Sequence, residues 1–431
     1  MNSSAATFRA VPYMGVIYVV AEAVKLGFTN GDPDWCNLGQ GQPEVGTIDG
    51  APPRIDAMKI APGDHAYGPV AGTQALRQAV ADHYNRLYRA GHRSQYTADN
   101  VVISAGGRLA LSRLLAALGN VVLGYQTPDY TAYEDMIAYH AHRVRPVLVA
   151  TSAEDGFQVS ASRFESVVRA HHLGAYLVSN PCNPTGQVLE ETELERYLEV
   201  ARTQGCTLLL DEFYSHFIYS ADGTAGERPV SAARVVGDVD RDPVLIVDGL
   251  TKNFRYPGWR IGWIVGPRDV VEQVARAASA IDGGPPVATQ RAALEVLAPE
   301  RADQETRAVR SIFARKRHIM LEALRRLGVR VPCASRGTFY LWGDISRLPP
   351  PLNDADAFFR AALERRVMVV PGRFFDVNPT ADRPPDPVYQ SWVRFSFGPP
   401  EDNVRLGLAR LEDLLRSAGR PLATGKRVVA R

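Results

Sequence analysis

Cysteine is scarce in this chain, four in 431 residues, and Cys36, Cys182, Cys206 and Cys333 form no C-x-x-C pair. That spacing argues against a disulfide framework or a structural zinc site and fits a reducing, cytoplasmic setting. The nine histidines form no H-x-x-x-H pair or triad-like cluster, so no metal is expected. A charge excess is missing too: 49 Lys+Arg face 47 Asp+Glu, for a formal charge of +2. Neither nucleic acid nor an anionic membrane is therefore expected as a partner. The apolar stretch near the N-terminus is interrupted by Tyr13 and Tyr18 and is too short to span a bilayer. It lacks a basic leader and a clear cleavage site, so a signal peptide is not expected and the sequon at Asn2 would stay idle. "GQGQPE" lacks the third glycine and the following helix of a dinucleotide fingerprint.

What is present is alternation. The short apolar runs "NVVISAG", "NVVLGYQ", "VRPVLVA", "AYLVSN", "CTLLLDEF", "VLIVDGL" and "IGWIVGP" are separated by amphipathic stretches such as "RLALSRLLAAL" and "ELERYLEVARTQ". This is the pattern of a mostly parallel seven-stranded sheet sandwiched by helices, an α/β large domain over 55–300. A long helical segment follows, then "TFYLWGDI", "RVMVVPGRFF" and "SWVRFSFG", which predict a smaller α+β domain over 301–431. Residues 1–54 are too few for a core of their own and are expected to form an arm and part of that smaller domain. The polar, basic end "SAGRPLATGKRVVAR" is expected to be a flexible tail.

In such a sheet, ligands bind beyond the carboxyl ends of the strands. Lys252 follows the run "VLIVDGL", where desolvation lowers an amine's pKa and favours the neutral nucleophile. Eight residues on, Arg260 sits in a glycine-rich turn suited to a phosphate. An amine able to form a Schiff base beside a phosphate-binding arginine points to pyridoxal 5'-phosphate, PLP. That cofactor needs a buried carboxylate for its ring nitrogen, and Asp211 ends "TLLLD", where burial is costly unless a cation pairs with it. Asn183 and Tyr214 are donors of the right kind for the ring hydroxyl, Tyr130 could stack on the ring, and "SAGGRLAL" offers backbone N–H groups at a helix start. Taken singly, each has a plainer reading: surface lysine, helix N-cap, tight turn, core tyrosine.

The ordered set "SNPCNPTG", "LLLDEFY", "LTKNFRYPGWRIGW" and "VRFSFG" resembles the class I/II aminotransferase family, the aspartate aminotransferase-like, fold-type I PLP enzymes, over nearly the whole chain. The resemblance implies that Lys252 forms the internal aldimine, that Asp211 pairs with the pyridine nitrogen, and that Asn183 and Tyr214 hold the ring hydroxyl. It implies further that Tyr130 stacks on the ring and that Gly107, Arg108 through its backbone, and Arg260 bind the phosphate. Arg394 matches the arginine that clamps the substrate carboxylate, and Gly41 the small residue facing it. Tyr67 matches the tyrosine that reaches the phosphate of a neighbouring subunit, which implies a homodimer with shared sites.

Three departures stand out. Gly249 replaces a frequent serine, leaving the phosphate cup one hydroxyl short unless Thr251 compensates. Asp282 could attract a basic substrate group or stabilise a turn, and Arg336 stands where glycine is usual and could reshape the pocket. Arg255 has no family role and is expected to face solvent or a dimer partner. The expected activity is transfer of an amino group from an α-amino acid to a 2-oxo acid through a quinonoid and a ketimine. The alternative diverts the same carbanion to elimination, replacement, decarboxylation or cyclisation in specialised metabolism. A PLP-sensing transcription factor is not expected, because 54 leading residues leave no room for a winged helix. A catalytically dead interaction protein fits poorly with the retained lysine, aspartate and arginines.

Overall fold

The structure is a computed structural model that describes residues 11–380 and 388–419. The expected tail from residue 420 onward and the Asn2 sequon lie outside the described residues. The helices are α1 (Gly15–Lys25), α2 (Gln74–Tyr88), α3 (Gly107–Ala117), α4 (Tyr133–Ala138), α5 (Ala161–His171) and α6 (Glu191–Gln204). They continue with α7 (Arg268–Ile281), α8 (Val287–Val296), α9 (Pro299–Leu327), α10 (Ala355–Glu364) and α11 (Glu401–Ser417). The strands are β1 (Cys36–Asn37), β2 (Val101–Ser104), β3 (Val121–Thr127), β4 (Val144–Ala150), β5 (Ala175–Ser179) and β6 (Thr207–Asp211). After them come β7 (Val244–Gly249), β8 (Gly262–Val265), β9 (Tyr340–Asp344), β10 (Val367–Met368), β11 (Val370–Pro371) and β12 (Trp392–Ser396).

All seven apolar runs read from the sequence are strands of one sheet, in the order β2-β8-β7-β6-β5-β3-β4. Their unbroken hydrophobicity reflects burial on both faces. Within β6, Leu208 and Leu210 join the cluster holding Phe164, Tyr197 and Trp263, while Leu209 joins the one holding Leu111, Leu114 and Phe339. Every neighbouring pair is parallel except those of β8, which runs against both β2 and β7. That reversal has a consequence for the site. In the β7–β8 register Gly249 faces Gly262, so the residues entering β8 stand at the same sheet edge as those leaving β7.

A second sheet, β11-β12-β9, is antiparallel, and β1 pairs with β10, which ties the N-terminal segment to the C-terminal one. The run "RVMVVPGRFF" is not one strand: it breaks into two two-residue strands and a 3-10 turn over Gly372–Phe375. Pro371 has no N–H to extend a ladder. Gly372 passes so close to the 389–392 chain that a Cβ would lie 2.5 Å from Tyr389 O.

Candidate active site

The strand ends of the large sheet open into a cavity of about 720 Å³. It is lined by Gly41, Gly107, Arg108, Tyr130, Asn183, Asp211, Tyr214, Thr251, Lys252, Arg260 and Arg394, eleven of the twelve site residues read from the sequence. The twelfth, Tyr67, is fully exposed and does not reach the cavity within one chain.

Lys252 stands three residues past β7, and its amine donates to Gly41 O. Burial, then the cations Arg394, Arg108 and Arg260, lower its pKa from 10.5 to about 7, so much of the amine is neutral at neutral pH. Asp211 closes β6 and is 5 % exposed. Its carboxylate accepts from Tyr133 Oη at 2.8 Å and from Phe213 N at 3.4 Å. Burial raises its pKa to about 6, partly offset by these donors and by the Lys252 charge. The tyrosine that opens α4 thus holds one carboxylate oxygen in place.

Arg394 on β12 is 2 % exposed. It donates to Asn183 Oδ1 at 2.9 Å and to Gly39 O at 2.8 Å, and its guanidinium lies 4.0 Å over the Tyr340 ring. The antiparallel pairing of Arg394 with Trp342 fixes its register in the small sheet. Asn183 N donates to Ser179 Oγ at 3.2 Å, and Ser179 Oγ in turn donates to the buried Asp129. Tyr214 Oη sits 2.9 Å from Tyr340 Oη. Tyr130 Oη accepts from Arg108 Nε at 3.0 Å.

The far end of the cavity is a donor set for a doubly charged anion. α3 begins at Gly107 with Gly106 as its N-cap and no capping side chain, which leaves first-turn N–H groups free for an anion. Arg260 enters β8 with φ +54 and packs on Gly106, where a Cβ would lie 2.4 Å from Nη2. Thr251 lines the cavity, and its buried Oγ1 has no hydrogen-bond partner among the described residues. An orphaned hydroxyl beside a free helix start and an arginine fits a phosphate group.

Several expectations change. Arg255 does not face solvent: its side chain is fully buried, with Nε donating to Glu305 at 2.6 Å and Nη1 to Glu44 O and Gly46 O. Arg54 stacks 3.6 Å over the Tyr256 ring beside it and donates to Arg255 O. For Asp282 the turn-stabilising reading holds: Oδ1 accepts from Gly284 N at 3.3 Å, and the carboxylate also takes two bonds from the buried Arg113, at 2.7 and 2.9 Å, bracing the end of α7 on α3. Arg336 leaves the cavity untouched: it donates to Tyr219 O and pairs with Glu190 along a separate surface groove. Gly249 is required by packing, since a Cβ there would lie 2.5 Å from Ile261 O and 2.6 Å from Gly262 Cα.

Sequence reasoning missed Tyr133, Tyr340, Ser179 and Asp129, which hold the first set in place, and Asn253. The Asn253 side chain donates to Asp248 and to Ser215 Oγ and accepts from His216 N, pinning the turn that carries Lys252.

A family model described as "Aminotransferase class I and II" matches residues 33–411. The chain is 29% identical over 389 residues to an aspartate aminotransferase of Sulfurisphaera tokodaii, covering 88% of this chain and 89% of that one. It is 29% identical over 363 residues to an aspartate/prephenate aminotransferase of Thermus thermophilus, covering 83% and 86%. Among solved structures it is similar to the aspartate aminotransferase from Thermus thermophilus with maleate. The TM-score there is 0.77 at 27% identity, over 96% of this chain and 99% of the other.

Proposed function

The chain belongs to the class I and II aminotransferases, and we propose that it uses PLP, held by the residues of this cavity, to transfer an amino group from an α-amino acid to a 2-oxo acid. The observation that carries this reading is the partly buried Lys252, its amine lowered to about pKa 7, in one cavity with Asp211, Arg260 and Arg394.

The donor set fits the cofactor. Gly107 N, Arg108 N, Thr251 Oγ1 and Arg260 would hold the phosphate, Asn183 and Tyr214 the ring hydroxyl, and Tyr130 the ring face. Asp211 would hold a proton on the ring nitrogen, and a cation there relieves the burial that lifts its pKa. When bound, PLP supplies an electron sink for negative charge at the substrate Cα.

The chain's own residues do the rest. Arg394 is preorganised by Asn183, Gly39 and Tyr340 to take the substrate carboxylate, and its buried Nε has no hydrogen-bond partner among the described residues. Gly41, which lines the same cavity, turns its carbonyl to the Lys252 amine. Lys252, neutral above about pH 7, would take the Cα proton and deliver it to the cofactor carbon on the far side of the substrate nitrogen, a general-base and general-acid role suited to a pKa near the working pH. Relatives matched over most of their length carry aminotransferase names, which favours this fate over elimination, replacement, decarboxylation or cyclisation.

The working unit we propose is a homodimer with shared sites, Tyr67 reaching the partner's phosphate. Met58, Ile60 and Tyr67, all exposed on one irregular segment, support a surface covered by a second copy. The division into a large domain over 55–300 and a smaller one from the remainder is part of the same proposal, and so is a cytoplasmic setting, supported by the unpaired cysteines. No described helix is long and apolar enough to cross a membrane. The test is spectroscopic: with PLP and an amino acid the protein should accumulate the amine form of the cofactor and release the matching 2-oxo acid. Release of ammonia in place of stored amine would overturn the transamination reading.

A further inference from the structure

Behind the cavity wall lies a buried acid that the proposed reaction leaves without a task. Asp129 follows β3 by two residues and is 0 % exposed, while Ser179, the last residue of the neighbouring strand β5, lines the cavity. Ser179 Oγ donates to Asp129 Oδ1. Tyr130 N donates to the same oxygen at 2.7 Å, and Ser179 N donates to Oδ2 at 3.4 Å. Asp129 N in turn donates to Phe375 O at 3.2 Å. The side chain thus ties the carboxyl ends of two adjacent parallel strands to each other.

Each of those strand ends carries a residue assigned to the cofactor ring. Tyr130 is the next residue after Asp129. Asn183 N donates to Ser179 Oγ at 3.2 Å, and Asn183 Oδ1 accepts from Arg394 Nη1 at 2.9 Å. At the other end Tyr130 Oη accepts from Arg108 Nε at 3.0 Å. One linked path therefore runs Arg108, Tyr130, Asp129, Ser179, Asn183, Arg394, and Asp129 is its one member that does not line the cavity. A buried carboxyl group is costly to keep. Burial raises its pKa to about 8, and the contact to Ser179 survives in either charge state, because the hydroxyl can give or take the shared proton. Both carboxyl oxygens face fixed backbone N–H groups. An asparagine amide has one accepting oxygen, so either orientation of it would set an NH2 group against one of those donors.

We propose that Asp129 is a positioning residue of the cofactor site: it holds the ring-stacking Tyr130 and the ring-hydroxyl donor Asn183 as one unit and so sets the seat of the cofactor ring. The proposal rests on the PLP reading of this cavity. A merely structural Asp129 would, when replaced, lower the unfolding temperature and leave the environment of the bound cofactor as it was. A positioning Asp129 changes that environment in protein that still folds.

The test reads cofactor seating, not turnover. Asp129→Asn, Ser179→Ala and the double variant are titrated with PLP, and the visible circular dichroism of the bound cofactor is recorded at saturation. Thermal unfolding of the cofactor-free proteins reports the fold separately. The expected result is PLP binding weaker by roughly tenfold or more in Asp129→Asn, with less circular dichroism per bound cofactor. Ser179→Ala should act in the same direction by a smaller factor. The double variant should lose less than the product of the two single losses, since both cut one link. Wild-type affinity and circular dichroism in Asp129→Asn would overturn the proposal, and so would losses that multiply. If Asp129→Asn does not fold, Ser179→Ala decides: an unchanged signature overturns the link and a reduced one supports it. A wild-type protein that forms no borohydride-reducible adduct with PLP sinks the functional reading and this inference together; a reducible adduct with unaltered variants sinks the inference alone.

Discussion

Lys252 is where burial and charge act most strongly on chemistry. Its folded pKa of about 7 lies below the ordinary 10.5, so the amine is charged below neutrality and becomes neutral as pH rises through 7. The rate at which cofactor-free protein forms a reducible lysine adduct should rise through about pH 7 and level off above it; a rise centred near pH 10 would contradict the account. Asp211 is held above its usual range by burial, and Asp211→Asn keeps the shape while removing the charge. Turnover should fall by about a hundredfold or more, with the cofactor's absorption maximum shifted, and retention of both would contradict the role. Lys252, Asp211, Asn183 and Arg260 were legible in the sequence because strand ends of the large sheet converge and their residue types name a chemistry; Arg394, inside β12 of the small antiparallel sheet, was legible only through the family resemblance. Tyr133, Tyr340 and Asp129 were not, because their reach depends on how α4 and β9 pack, which no local pattern encodes. Arg255 was misread for a related reason. A charge between two site residues looks solvated until its partner is seen, and that partner, Glu305, is 50 residues away on α9.

The turn from β7 to β8 concentrates the element-scale argument. It carries Lys252 and Arg260, and antiparallel β8 brings both to one sheet edge. Three devices hold it: Gly249 against Ile261 O, the Asn253–Asp248 contact, and the buried Arg255–Glu305 pair. Restoring the serine seen at this position in the resembled family, Gly249→Ser, should destabilise the fold by about 1–3 kcal/mol through overpacking, measured by chemical denaturation; a neutral or stabilising result would contradict the packing explanation. Glu305→Ala strands a buried guanidinium and should cost about 3–5 kcal/mol, while a double replacement of Arg255 and Glu305 by apolar residues should cost much less. Equal losses in both variants would show that the pair does not act as a unit. The seven strands were legible because burial on both faces leaves unbroken apolar runs. The break at Pro371–Gly372 was not, since it answers to the close passage of a chain segment from 389 to 392.

At the scale of the whole molecule, two sheets meet around one cavity: the large sheet supplies the amine, the carboxylate and the anion cup, and the small one supplies Arg394. In the proposed homodimer, Tyr67 of a second copy would complete the site. Sedimentation should therefore give twice the 47.2 kDa chain mass. Tyr67→Phe should weaken cofactor binding by roughly tenfold, the worth of one hydrogen bond to a charged group, without dissociating the dimer. A monomer with full cofactor affinity would refute the shared site. The central claim, that Lys252 carries the cofactor, has a direct test. The PLP-loaded protein is reduced with borohydride, digested and mapped by mass spectrometry. The account predicts a single pyridoxyl adduct on the peptide holding Lys252 and none in Lys252→Ala; an adduct on another lysine, or one that survives in Lys252→Ala, would contradict it.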